Sequence, residues 1–100
     1  RLRREDGTGA VLRTYPSVGR LRRSFLSNMY GGYIELYNDG AAPLVIHAVR
    51  GGADSNLKPG TVLLPGSVLE VGVRTGRESE TLEIFTNDPK RPYKELIYKH

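Results

Sequence analysis

Three observations predict an all-β antiparallel sandwich for this 100-residue chain. Apolar and polar residues alternate with a period of two in several stretches, the signature of strands that bury one face. Clusters of Gly, Pro, Asn and Asp interrupt those stretches about every 10 residues, the spacing of sandwich strands. No segment sustains an amphipathic helical stripe over three turns. Two antiparallel sheets packed about 10 Å apart bury such one-faced strands economically at this length, and a closed barrel is the alternative.

Residues 1–9 are charged and then read Gly7-Thr8-Gly9 without an apolar period, which predicts a flexible basic arm. The folded domain is expected over residues 10–100. Ala10 to Tyr15 predicts a first strand, with Val11, Arg13 and Tyr15 on one side, and Pro16 ends it or confines it to an edge. Val18 to Gly32 fits a helical spacing about as well as a broken strand through Leu21, Phe25, Leu26, Met29 and Tyr30, and is read as a short edge strand or loop closed by Gly31-Gly32. Tyr33 to Asn38 alternates, with Ile34 and Leu36 opposite Glu35, and Asn38-Asp39-Gly40 turns the chain, Gly40 tolerating positive φ. Leu44 to Val49 follows Pro43 as the next strand, and Arg50 to Asn56 reads as an exposed loop. Lys58-Pro59-Gly60 and Pro65-Gly66 leave room between them for only a very short strand at Thr61 to Leu64. Ser67 to Arg74 and Glu80 to Asn87 alternate cleanly, the turn Asn87 to Pro92 follows, and Tyr93 to Tyr98 is the last strand. The count is six strands, or seven to eight if the short pieces pair.

A chain of this length forms one domain with a core that buries roughly two thirds of its unfolded surface. There is no Cys, so disulfides and thiolate chemistry are excluded. No apolar run reaches the roughly 18 to 20 residues that span a bilayer as a helix, and no signal-peptide core is present. A start at Arg1 rather than Met is expected of a processed or excised segment. The net charge of +4 is uneven: seven arginines against Glu5 and Asp6 leave +5 on the first 23 residues, and eight basic against nine acidic residues leave −1 on the rest.

The pattern from Tyr33 onward resembles small bacterial Ig-like domains related to the major-sperm-protein and ASH (PapD-like) domains. The resemblance rests on Asn38-Asp39-Gly40, then Pro43-Leu44-Val45-Ile46, a Pro65-Gly66 turn, the alternating strand Leu69 to Val73, and Thr86-Asn87-Asp88-Pro89. It covers Tyr33 to Tyr98, about two thirds of the chain. Within that group the chain is most similar to the family called domain of unknown function 1573, but it reads Arg50-Gly51-Gly52-Ala53-Asp54 where that family carries a Cys-Gly-Cys-like motif. The resemblance implies an Ig-like sandwich of about seven strands in an envelope, secreted or scaffolding protein, without catalysis. It supplies no site residue.

Neither catalytic residues nor a cofactor or metal site emerge from the motifs. His47 has no Cys, His or carboxylate at ligand spacing, the serines lie in no nucleophile elbow, and the glycine-rich pieces lack a phosphate-loop ending. An enzyme is therefore not expected. Two candidate surfaces remain. Tyr30, Tyr33 and Tyr37 form a possible platform for a protein or sugar, against the plainer reading of cross-strand packing. Arg20, Arg22 and Arg23 repeat the Arg1-Leu2-Arg3-Arg4 cluster, and clustered guanidinium groups suit nucleic acid or an anionic surface. No stacking platform or reading helix accompanies them. The expected function is thus a non-catalytic interaction or spacer module that binds a protein partner by loops or by strand addition at a sheet edge. Nucleic-acid or anionic-surface binding through the N-terminal Arg-rich arm is the alternative.

Overall fold

The computed structural model describes residues 9–51 and 53–100, and these form a two-sheet β-sandwich without a helix. The basic arm expected over residues 1–9 lies outside the described residues except for Gly9. Ten strands follow in order: β1 (Leu12–Tyr15), β2 (Val18–Arg20), β3 (Arg22–Arg23), β4 (Tyr30–Asn38), β5 (Leu44–Gly51), β6 (Asp54–Ser55), β7 (Val62–Leu63), β8 (Val68–Thr75), β9 (Ser79–Thr86) and β10 (Tyr93–Lys99). The first sheet runs β1-β4-β8-β6, with β3 also pairing β4, and the second runs β2-β10-β9-β5-β7.

Alternation places the core. Ile34 and Leu36 on β4 and Val71 and Val73 on β8 face Ile46 on β5, Leu82 and Ile84 on β9 and Leu96 and Tyr98 on β10, all buried. Each such side chain contributes roughly 1.5–3 kcal/mol on leaving water. The buried Tyr98 hydroxyl finds its partner across the sandwich, donating to the Val71 carbonyl at 3.0 Å.

The stretch from Pro16 to Gly32 departs from the plain antiparallel expectation. After β1 has paired with β4, the chain passes the cis Tyr15–Pro16 peptide and changes sheets without reversing, so β2 lies parallel to β10. It then returns to the first sheet as β3, with Leu21 buried at the crossing and its N–H donating to the Lys99 carbonyl at 2.8 Å. Gly31 and Gly32 do not punctuate this region, because both belong to β4. A Cβ on Gly32 would stand 2.5 Å from the Arg20 carbonyl oxygen, so the glycine lets the crossing chain approach the sheet closely. The expected loop from Arg50 to Asn56 likewise carries the end of β5 and the short β6.

Three polar residues of the spaced motif act as staples. Asn38 is fully buried: its amide nitrogen donates to the Ala42 and Leu63 carbonyls, and its oxygen accepts from Gly40 and Val11 N–H groups. Asn87 stands in for a strand residue, accepting from Val45 N–H at 2.8 Å and donating to the Pro43 carbonyl at 3.1 Å. The Asp88 carboxylate, 2% exposed, accepts from Leu12 N–H and Lys90 N–H. Burying Asn38 and Asp88 is tolerable because both are hydrogen-bonded, while Asn87 makes its two bonds from an exposed position. Gly40 is needed for close approach rather than for positive φ, which among the described residues only Gly60 and Gly66 adopt: its Cβ would meet the Gly9 oxygen at 1.9 Å.

Candidate interaction surface

The outward-pointing residues of β4 are Gly31, Tyr33, Glu35 and Tyr37, since Ile34 and Leu36 point to the core. On the neighbouring β1, Arg13 stands opposite Tyr37 and Tyr15 opposite Glu35. The face therefore carries Tyr15, Tyr33 and Tyr37 around Glu35, with the exposed Glu70 of β8 in register beside it. Its two ends differ in chemistry.

At the Tyr37 end Tyr37, Glu35, Arg13 and Asp39 are joined to one another. The Tyr37 hydroxyl donates to Glu35 Oε1, the Arg13 guanidinium lies 4.0 Å from the Tyr37 ring centroid, and Arg13 Nε meets Asp39 Oδ2 at 2.5 Å. The hydrogen bond to Glu35 holds the Tyr37 pKa above its ordinary value, and the bond to Asp39 does the same for Arg13.

At the other end Tyr33 and Tyr15 are open, each 63% exposed. The Tyr33 ring lies across Gly72 on β8, whose Cβ would stand 2.9 Å from a ring carbon. Beside it runs a groove of about 400 Å³ lined by Gly31, Asp54, Asn56, Gly72 and Arg74. The Asn56 side chain accepts from Gly72 N–H at 2.7 Å and donates to the Glu70 carbonyl at 2.9 Å, so it occupies backbone groups of β8 next to β6. The edge of the first sheet is thereby covered by a side chain, and the strands at the sheet margins are only two to four residues long.

Tyr30 does not join this face. It shares the core side of β4 with Ile34, packs edge-on against His100 at 5.0 Å, and its hydroxyl donates to Glu78 Oε2 at 3.4 Å. Tyr15, which takes its place on the outer face, was marked in the sequence by sharing one side of its strand with Arg13. Arg20 lies on β2 and Arg22 and Arg23 on β3, so the buried Leu21 divides the cluster between the two sheets. All three arginines are exposed. His47 is exposed at a register shift in β5 between Ile46 and Ala48. Among the described residues no three His, Asp or Glu side chains gather as a metal ion would require, and no helix is long and apolar enough to cross a membrane.

The sequence pattern did not single out a further feature, at the turn between β3 and β4. Phe25 and Leu26 are 98% and 89% exposed there. Hydrophobic residues beside a possible strand are ordinarily read as core, and no local signal marks these as turned outward.

Comparison with protein-family models finds no match, and comparison with curated proteins finds none either. Among solved structures the chain is similar to a protein of unknown function from Porphyromonas gingivalis W83, with a TM-score of 0.71 at 20% identity over 94% of this chain. It spans 47% of that protein's length. A FixG-related protein from Vibrio parahaemolyticus aligns over 88% of this chain and 91% of its own, with 13% identity and a TM-score of 0.48. At this identity the likeness to the Porphyromonas gingivalis protein is one of fold: the chain shares its β-sandwich architecture.

Proposed function

We propose that this chain is a non-catalytic interaction module of a larger protein and that it meets a protein partner through the outer face of its first sheet. The observation that carries the reading is the pair of open tyrosines, Tyr15 and Tyr33, on adjacent strands of one face. Tyrosine supplies large, rigid contact area at low entropic cost and is enriched at protein interfaces. The groove beside Tyr33, with Asp54 and Arg74 at its margin, adds polar groups of both signs for specificity. Face or loop contacts are better supported than strand addition, since the sheet margins are short and Asn56 covers part of one. The resemblance to Ig-like envelope and scaffolding domains agrees with this reading and suggests a bacterial envelope or secreted setting. The test is the paired variant Tyr15→Ser, Tyr33→Ser in the full-length protein: recruitment of its partner in the native host is lost while the fold persists. Unchanged recruitment would contradict the assignment.

A second reading is contact with an anionic surface through Arg20, Arg22 and Arg23. It is favoured by the exposure of all three side chains while the intervening Leu21 is held in the core.

A further inference from the structure

We propose that the β3–β4 hairpin inserts its tip, Phe25 and Leu26, into the interface of an anionic lipid bilayer, with Arg22 and Arg23 meeting the headgroups. The inference rests on the second reading above, that the arginines meet an anionic surface, and it names that surface and the mode of contact.

Every residue from Arg22 to Asn28 is exposed, so the turn projects from the sandwich. It is nonetheless built rather than loose. Ser24 N–H donates to the Met29 carbonyl at 2.7 Å, closing the hairpin above the Arg22–Gly31 and Arg23–Tyr30 pairs. The Ser24 hydroxyl accepts from Leu26 N–H and the Ser27 hydroxyl from Met29 N–H, both at 3.3 Å, and Arg23 Nη2 donates to Asn28 Oδ1 at 2.8 Å. These bonds hold two adjacent large apolar side chains outward with almost all of their surface in water, which is unfavourable unless something covers them.

Charge decides what covers them. Between Val18 and Ile34 the chain carries Arg20, Arg22 and Arg23 and no Asp or Glu. Arg74 stands in register with Gly31 at the hairpin's base, and Glu78, at the same end, is met by the Tyr30 hydroxyl. An exposed apolar tip flanked by the guanidinium groups of Arg22 and Arg23 fits a fluid interface, which needs no complementary pocket and supplies negative charge at headgroup depth. Two apolar residues reach only the headgroup and acyl boundary, so the attachment is shallow, reversible and weakened by salt.

The chain has no Trp, so Phe25→Trp places a single reporter at the tip, where 98% exposure leaves the fold indifferent to the change. The variant is mixed with vesicles of phosphatidylcholine alone and of phosphatidylcholine with phosphatidylglycerol, and sedimentation and indole emission are read together. The expected result is co-sedimentation with the anionic vesicles only, a blue shift, and quenching by brominated acyl chains, all reversed by salt. Adding Arg22→Gln weakens binding about fivefold, and adding Leu26→Ser removes the blue shift, while circular dichroism stays unchanged. Salt-sensitive sedimentation without blue shift or quenching would overturn insertion and leave the electrostatic reading standing. Absence of sedimentation would overturn both. A blue shift produced by a soluble protein and not by vesicles would assign the tip to a protein pocket and overturn the proposal.

Discussion

The Asp88 carboxylate accepts a hydrogen bond of 2.8 Å from the backbone N–H of Leu12, 76 positions away in the chain. It ties the first strand of one sheet to the turn between the last two strands of the other, at a site where Asp88 is 2% exposed. Hydrogen bonds to charged groups contribute about 1.5–3 kcal/mol, and removing the carboxylate also leaves the Leu12 and Lys90 N–H groups without it. Asp88→Ala is therefore expected to lower unfolding stability by about 2–3 kcal/mol in urea titration. A loss below about 0.5 kcal/mol would place it among ordinary surface changes.

Gly40 and Gly76 give a paired test of close approach. A Cβ at position 40 would lie 1.9 Å from the Gly9 oxygen and 2.7 Å from Val11 N, both backbone atoms, whereas a Cβ at position 76 meets nothing within 4 Å. Gly40→Ala is expected to cost about 1–3 kcal/mol, as overpacking does. Gly76→Ala should be neutral or stabilise by up to about 1 kcal/mol through the unfolded chain. Thermal unfolding of the two variants side by side reads the difference directly.

Burial pushes the Tyr98 hydroxyl well above the ordinary tyrosine range, and partial desolvation together with hydrogen bonds to Glu83 and Glu95 pushes the more exposed Tyr93 up to about 12. Both groups bind their proton more tightly folded than unfolded. Their contribution to stability is complete below about pH 10, where the unfolded phenol titrates, and is lost as pH rises through the folded values. Stability measured in denaturant is expected to fall above pH 10. Tyr98→Phe should flatten part of that fall, at a cost near neutrality of about 1 kcal/mol for the lost bond to Val71. An alkaline profile unchanged in the variant would assign the loss to other groups.

The long strands were legible because each buries one face over a run of alternating residues. β4, β8, β9 and β10 carry that alternation throughout, β5 carries it up to the register shift between Ile46 and Ala48, and β1 carries it over four residues. β3, β6 and β7 span two residues each, too few for any period, so β3 fell in a stretch read as a short edge strand or loop, β6 was read into a loop and β7 left as a very short strand. Gly31-Gly32 was misread as a stop because the reason for glycine there, the approach of Arg20, comes from a crossing that alternation does not describe. The tyrosine face was half legible. Tyr33 and Tyr37 share an odd-numbered side of β4, while Tyr30 falls on the even, buried side once the strand extends through the glycines. Asn38, Asn87 and Asp88 were legible as turn formers but not as staples, since a sequence displays a polar group and not its partner.

The open tyrosines of the first sheet are the proposed contact for a protein partner. Site-specific photo-crosslinking from position 33 in the full-length protein, in its native host, tests this contact most directly, with position 62 as control because Val62 is also exposed but lies on the second sheet. One discrete adduct is expected from position 33, lost on adding Tyr15→Ser, and none from position 62. No adduct from position 33, or equal adducts from both positions, would contradict it.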